Sequence, residues 1–357
     1  MAVRIGIPRA LLFYYYYPMW EVFFRKLGAE VVVSGPSTKA DLDRGVELAV
    51  EDACLPVKLA FGHIAGLAGK VDFLFLPRLV STAPREYICP KFLGLPDVVR
   101  QAVPGLPPVI DVNVNLYRKK NDLYLAAAEV GKVLGAGAPQ SFYALCCGLK
   151  ALRQYKRLLE EGCLPEEAMS FLPGAGFGPR LLAGKRAGKN KEPRPKQRHF
   201  GGEGGGKGEL TVAVVGHPYN IYDGYVSMNV IKRICAAGVK VVTADQVPEP
   251  VVTAEAARLP KRLFWTLNRR MTGAAFHFLR SGRVQGLLTV TSFGCGPDSM
   301  TGELIARRAR AAGTVPFLNL VLDEHTGEAG VLTRLEAFLD MVFGGCREAM
   351  PYWGARL

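Results

Sequence analysis

Short apolar runs alternate with longer amphipathic stretches along most of the chain. Near the N-terminus the apolar run VRIGIP precedes the amphipathic stretch LLFYYYYPMWEVFFRKLG, and a second apolar run, EVVVSG, follows it. Apolar runs of this length between helix-length stretches are typical of parallel strands in β-α-β units. The pattern therefore predicts an α/β fold.

The alternation occurs twice, and a segment of different composition separates the two occurrences. The first ends near Gly162, after which the chain is dominated by glycine, proline, lysine and arginine until the pattern restarts at Leu210. A segment of this composition is a solvated connector. We therefore predict two Rossmann-like or flavodoxin-like domains, each built on a doubly wound parallel sheet and joined by a flexible basic linker. The predicted bounds are 1–173 for the N-terminal domain with its helical extension, 174–208 for the linker and 209–357 for the C-terminal domain.

The positive charge of the chain is concentrated in the predicted linker. The formal net charge is +13, and residues 185–207 contain eight Lys or Arg against two Glu. Because much of the excess belongs to a connector, it argues against a basic folded face for nucleic acid. The glycine-rich end of this segment, GGEGGGKG, resembles a phosphate-binding loop but has Gly208 where such a loop needs Ser or Thr. We expect no nucleotide site there.

The aromatic N-terminal stretch does not fit a targeting signal or a membrane span. Arg9, Pro18 and Glu21 interrupt it, and no other apolar stretch is long enough to cross a bilayer. We therefore expect a cytoplasmic protein without membrane association. Its eight cysteines are then expected to be free, serving in burial, metal ligation or reactivity rather than in disulfides.

Three cysteines lie at element ends or in loops and are followed within two residues by proline. They are Cys54 in DACLP, Cys89 in YICP and Cys295 in FGCGP. Proline stiffens the local backbone, so each thiol is presented rigidly. Three such thiols are suited to an iron–sulfur cluster, whose irons are bound by thiolates. The alternative is that each is a small buried hydrophobic residue, as isolated cysteines often are.

The remaining cysteines are less suited to act as ligands. Cys235 lies in an amphipathic stretch and is expected in the core, whereas Cys163 follows a charged helix at a surface-like turn. The adjacent Cys146 and Cys147 point about 100° apart on a helix, so both rarely bind one cluster. The chain contains no C-x-x-C, which argues against a zinc ribbon or a ferredoxin-type cluster.

Polar side chains follow the predicted strands of the C-terminal half. His217 follows the first strand, Ser292 ends the strand before Cys295, and His325 follows the last strand. Because ligands bind at the carboxyl ends of parallel strands, we predict His217, Ser292 and His325 as catalytic residues, the histidines shuttling protons. The alternative is that the histidines make structural hydrogen bonds. Asp298 is expected to cap the helix that follows it.

Several segments resemble the 2-hydroxyacyl-CoA dehydratase component superfamily and, more closely, its branch of acyl-CoA dehydratase activase-related proteins. The resemblance implies an oxygen-sensitive protein that functions under anaerobic conditions. It also implies a [4Fe–4S] cluster between the two domains. Cys54, Cys89 and Cys295 would bind the cluster and leave one iron open. The segments are IGIPRALLFYYYYPMW, EDACLPVKLAFGH, FLPRLVS, EYICPKFLGLPD, GHPYNIYD, SFGCGPDS and DEHTGEAGVLTRLEAF.

The resemblance also implies partners and an activity. A separate ATP-dependent [4Fe–4S] activase would supply low-potential electrons for the reduction or dehydration of a small substrate, such as an acyl-CoA. We thus expect an iron–sulfur electron-transfer protein that forms a homodimer or a hetero-oligomer. Two alternatives stay open: a double-cubane cluster, for which Cys146, Cys147 and Cys163 offer further thiolates, and a non-catalytic scaffold of an activase–dehydratase system. Whether the chain is itself a reductase or a dehydratase-like lyase is equally open.

Overall fold

A four-stranded parallel sheet lies at the centre of each of the two units into which the chain divides. Unit 1 comprises Met1–Gly201 with Phe264–Thr266, and unit 2 comprises Gly202–Leu263 with Leu267–Leu357. The computed structural model describes residues 2–118, 122–172 and 210–344, so the predicted linker at 174–208 lies outside the described residues. Within these described ranges, no helix combines the length and the apolar character needed to cross a membrane.

The sheet of unit 1 has the strand order β2-β1-β3-β5, with every neighbouring pair parallel. The central strand β1 pairs through Ile5 with Val31 on one side and Phe73 on the other. Ile5 and Leu74 are fully buried, which explains why these strands are apolar. The strands of unit 1 are β1 (Arg4–Ile7), β2 (Glu30–Val33), β3 (Phe73–Phe75), β4 (Arg78–Ser81), β5 (Val109–Ile110) and β6 (Asn113–Asn115).

The apolar segment PPVIDVN is divided between two strands in the structure. Its first part forms β5 in the main sheet, whereas the chain after Asp111 forms β6, which pairs with β4 in a separate two-stranded parallel sheet. Helices connect and flank these strands. They are α1 (Phe13–Lys26), α2 (Lys39–Leu48), α3 (Leu55–Leu67), α4 (Pro90–Ala102), α5 (Asp122–Val133), α6 (Ala138–Glu160) and α7 (Pro165–Ser170).

Two glycines allow α2 and α3 to cross at close range. A Cβ atom added to Gly45 would lie 1.9 Å from the carbonyl oxygen of Lys58, and one added to Gly62 would lie 1.9 Å from that of Asp41. No side chain fits at such distances, so the backbones themselves are in contact. This crossing fixes the position of α3, the helix that begins directly after Cys54.

Unit 2 repeats the topology of unit 1. Its sheet has the order β10-β9-β7-β8, again entirely parallel, so the first strand of each unit lies between the second and the third. In the amphipathic segment VSMNVIKRICAAG the helix starts only at Val230, because Met228 and Asn229 have left-handed φ values of 51° and 57°. The elements are β7 (Thr211–Gly216), α8 (Pro218–Ile221), α9 (Val230–Ala236), β8 (Lys240–Thr243), α10 (Glu249–Ala256), α11 (Thr266–Ser281), β9 (Gly286–Ser292), α12 (Gly296–Ala312), β10 (Phe317–Leu322) and α13 (Glu328–Gly344).

Parallel sheets flanked by helices confirm the predicted α/β class, and both units have the order typical of flavodoxin-like folds.

Candidate functional site

The strand order of unit 2 creates a crevice at the carboxyl ends of β7 and β9. These two strands are neighbours, but the chain leaves β7 towards β8 on one side and leaves β9 towards β10 on the other. Such a switch point is where ligands bind in open parallel sheets. His217 directly follows β7, while Cys295 and Asp298 follow β9. The topology therefore brings together residues that are about 80 positions apart in the sequence.

Asp298 is the centre of a buried hydrogen-bond cluster at this crevice. Its Oδ1 atom lies 2.8 Å from Nε2 of His217 and 2.7 Å from Nδ2 of Asn268, which donates from α11. Asn268 Nδ2 is also 2.9 Å from Oγ1 of Thr301. His217 and Asp298 are each only 2% exposed. The predicted capping role of Asp298 is wrong, because the residue lies in the first turn of α12 and its carboxylate contacts side chains from other elements.

The carboxyl group of Asp298 is ionised despite its burial. Burial alone raises its pKa, but the electrostatic interaction with His217 and the hydrogen bond from that ring act in the opposite direction. Hydrogen bonds from Asn268 and from the Cys295 thiol lower it further, so the pKa of Asp298 is below its ordinary value. The ionised carboxylate accepts hydrogen bonds only, and Nε2 of His217 is therefore the protonated donor of the pair.

Two polar atoms of this cluster have no hydrogen-bond partner among the residues that the structure describes. Nδ1 of His217 and Oδ2 of Asp298 are both buried and unpaired. One ligand atom from each of His217, Cys295 and Asp298 lies within 4.8 Å of the other two. Imidazole nitrogen, thiolate sulfur and carboxylate oxygen are the donors that zinc and iron bind in proteins. These three side chains therefore form a candidate metal centre within unit 2.

Ser292 and Asn220 form a second pair next to this centre. The Ser292 hydroxyl donates to Oδ1 of Asn220 over 2.9 Å, and both residues are buried. Nδ2 of Asn220 is buried and has no hydrogen-bond partner in the described part of the chain. Asn220 lies in the GHPYNIYD segment, three positions after His217.

His325, the third predicted catalytic residue, follows β10 in a tight turn. Oδ1 of Asp323 accepts hydrogen bonds from the His325 amide at 3.0 Å and from the Thr326 hydroxyl at 2.7 Å, which shapes the turn. The His325 side chain is exposed. It is not part of the group of close donor atoms formed by His217, Cys295 and Asp298.

The three predicted cluster ligands share one local construction. Cys54, Cys89 and Cys295 are the N-cap residues of α3, α4 and α12, and each of these helices has proline at its first or second position. All three cysteines are half-buried, and within the described part of the chain none of them forms a disulfide. The amide groups and the positive end of the dipole at a helix N-terminus stabilise a thiolate. Each cysteine thus lies at the positive end of a helix dipole.

Within unit 1 the N-termini of α3 and α4 lie near each other. Nζ of Lys91, in the first turn of α4, is 3.4 Å from the carbonyl oxygen of Asp52, two residues before Cys54. Cys89 directly precedes the helix that carries Lys91. One lysine side chain therefore spans the separation between the two cysteine-bearing segments.

Two of the other described cysteines differ in exposure from the sequence-based expectation. Cys235 is exposed, so its predicted place in the core is wrong, and Cys163 is buried rather than at a surface turn. Cys146 is exposed and Cys147 is half-buried on α6. Because Cys235 is exposed and lies on α9 rather than at the start of α12, it serves as a control for substitutions of Cys295.

Comparison with known proteins gives one family. No curated protein matches the chain. The family model described as CoA enzyme activase uncharacterised domain (DUF2229) matches residues 4–247, a range that includes Cys54, Cys89 and His217 and ends before Cys295. The match confirms the activase-related part of the resemblance, while membership of the dehydratase components stays a prediction. The chain therefore belongs to the CoA enzyme activase uncharacterised domain family.

Proposed function

We propose that this protein is an iron–sulfur redox protein of a CoA-enzyme system. In this proposal Cys54, Cys89 and Cys295 bind a [4Fe–4S] cluster, and an ATP-dependent activase supplies its electrons in the cytoplasm. The substrate is a small molecule, such as an acyl-CoA, that is reduced or dehydrated. When bound, the cluster supplies one-electron chemistry at low potential.

The observation that carries the proposal is the repeated N-cap construction of the three cysteines. Three half-buried cysteines are each the N-cap residue of a helix that has proline in its first turn. A core cysteine needs neither a helix N-terminus nor a stiffened backbone, whereas a thiolate ligand benefits from both. Cysteine is also the appropriate type of ligand, because iron–sulfur clusters are bound by cysteine thiolates. Membership of an activase-related family supports the same reading.

The polar residues of unit 2 have separate roles in this proposal. Asp298 orients His217 and holds its ring in one tautomer. Ser292 is positioned by Asn220 at the same strand ends. The exposed imidazole of His325 is accessible to solvent protons and is suited to proton exchange near neutral pH.

The test is anaerobic reconstitution with iron and sulfide, followed by analysis of both elements and of visible absorbance. We expect a brown protein with about four irons and about four sulfides per chain. Cys295→Ala is expected to lose most of the bound iron and colour, while Cys235→Ala, which changes an exposed thiol on α9, is expected to keep both. A colourless wild-type protein after reconstitution, or equal losses in the two variants, would contradict the proposal.

A further inference from the structure

We propose that unit 1 binds a short aliphatic acyl group in an apolar cavity at the carboxyl ends of β1 and β3. The residues that line this cavity lie between Ile7 and Leu95 and therefore all belong to unit 1. The inference rests on the proposed function for the carrier of the acyl group, a CoA thioester. It adds where the acyl group binds and how long its chain is.

The cavity lies at the topological switch point of unit 1. β1 and β3 are neighbours, but the sheet continues from β1 to β2 on one side and from β3 to β5 on the other. Ile7 ends β1, Phe75 ends β3, and both line the cavity. Ligands of open parallel sheets bind at such points. The cavity is therefore the counterpart in unit 1 of the crevice between β7 and β9 in unit 2.

The chemistry of the lining selects a hydrocarbon. The described residues around the cavity supply aliphatic side chains, prolines and aromatic rings, and none of them carries a charge. Ala60 and Phe75 in this lining are only 1% and 2% exposed. Voids larger than a water molecule are uncommon in protein interiors, and those with apolar walls exclude water and bind apolar molecules. A polar or charged ligand group does not fit this lining.

Contacts between aromatic rings keep the walls of the cavity in place. The rings of Phe13 and Tyr17 stack with their centroids 4.5 Å apart, and those of Trp20 and Phe75 meet edge to face at 4.6 Å. Leu11, which also lines the cavity, has a left-handed φ of 52°. Such a conformation is unfavourable for a residue other than glycine and is found preferentially at ligand sites. The cavity is therefore preformed rather than a gap that neighbouring side chains can fill.

The volume of the cavity sets the length of the acyl chain. It measures about 80 Å³, roughly half of the 150 Å³ of an apolar cavity that binds benzene. On that scale it holds about three carbon atoms beyond the thioester carbonyl, the length of a butyryl group. Pro8 and Tyr16, which also line the cavity, are partly exposed, so the cavity reaches the surface. The carrier of the acyl group can thus remain outside.

Both cysteine-bearing helices of unit 1 contribute to the lining. Ala60 lies on α3, which begins after Cys54. Phe92 lies in the first turn of α4, where its amide donates to the carbonyl oxygen of Cys89 over 3.0 Å. An acyl group in the cavity is therefore held by the two helices that would carry two of the cluster ligands.

The experiment compares CoA thioesters of different chain length by methyl nuclear magnetic resonance on the full-length, reconstituted protein labelled with carbon-13 in its isoleucine and alanine methyl groups. We expect butyryl-CoA to bind about tenfold more tightly than acetyl-CoA, because it buries two further methylene groups. Octanoyl-CoA is expected to gain no further affinity, since the cavity is then full. Butyryl-CoA is expected to shift the Ile7 methyl resonances, which free CoA leaves unchanged, and not those of Ile234, which is buried in unit 2.

Two variants of α3 test the position of the acyl group. Ala60→Leu places an isobutyl group in the cavity and is expected to abolish the preference for butyryl-CoA over acetyl-CoA. Ala65→Leu makes the same change on the same helix at a half-buried position outside the lining, and it is expected to keep the preference. If Ala60→Leu does not fold, the wild-type affinities and the location of the shifted resonances decide the question alone.

The outcomes separate the inference from the proposed function. The inference is overturned if butyryl-CoA does not bind, if it binds no better than acetyl-CoA, if it shifts Ile234 rather than Ile7, or if the preference survives in Ala60→Leu. The iron and sulfide analysis tests the cluster independently. A preference for butyryl-CoA in a protein that takes up neither element would refute the cluster and support the cavity as an acyl site.

Discussion

Replacement of Gly62 by alanine is expected to destabilise unit 1, although alanine is the better helix former. Gly62 lies inside α3, where that helix crosses α2. The new Cβ atom would lie 1.9 Å from the carbonyl oxygen of Asp41 and 2.7 Å from its carbonyl carbon. An ordinary contact between carbon and oxygen is about 3.3 Å, so the two backbones would have to separate by about 1.4 Å.

The size of the effect follows from two opposing contributions. Overpacking of a close contact costs about 1–3 kcal/mol, and the upper end applies because the obstacle is backbone rather than a flexible side chain. The higher helix propensity of alanine offsets about 1 kcal/mol of this cost. The net expectation is a loss of about 2 kcal/mol in the free energy of unfolding of unit 1, together with a displaced N-terminus of α3 at Cys54.

Urea unfolding followed by tryptophan fluorescence, to which the buried Trp20 of unit 1 contributes, measures this effect. With a slope of about 2 kcal/mol per molar urea, the midpoint is expected to fall by about 1 M. The control is Gly94→Ala in α4, where the added Cβ would meet no atom within 4 Å and stability is expected to rise by about 0.5–1 kcal/mol. If Gly62→Ala were as stable as Gly94→Ala, the close backbone crossing would be refuted.

Three further changes test other parts of the two units. Asp298→Ala is expected to cost unit 2 about 3 kcal/mol in urea unfolding, because two buried donors lose their acceptor, and Asp298→Asn is expected to cost less. Tyr155→Phe removes the 2.7 Å hydrogen bond to the buried carbonyl oxygen of Tyr14 and is expected to cost about 1 kcal/mol; no loss would contradict that bond. The hydrogen bond from Arg100 holds the pKa of Asp111 below its ordinary value, against the effect of burial. The stabilisation by Asp111 is therefore present at neutral pH and lost as the pH falls below about 4, so the stability difference between wild type and Asp111→Asn should shrink on acidification; a constant difference would exclude this linkage.

Only some residues of the candidate site could be predicted from the sequence. The residues at strand ends were identifiable because glycine and proline interrupt the apolar pattern there, as in SFGCGPDS around Cys295. Asn268 carried no such signal, since it lies inside α11 and resembles any polar residue of an amphipathic helix. For Asp298 the sequence signal was misleading, because an acidic residue near the start of a helix ordinarily serves as a cap. Its partner His217 is 81 positions away.

The apolar and polar pattern by itself determined the α/β class, the two repeats of the alternation and the stiffened cysteines at element ends. These features are local, because strand and helix periodicity and the φ restriction of proline act over a few residues. The strand order was decided only in three dimensions, and with it the meeting of His217 and Asp298. The same is true of the separate pairing of β4 with β6 and of the exposure of Cys235. Periodicity states which face of an element is buried, but the neighbour across that face depends on how all the elements pack together.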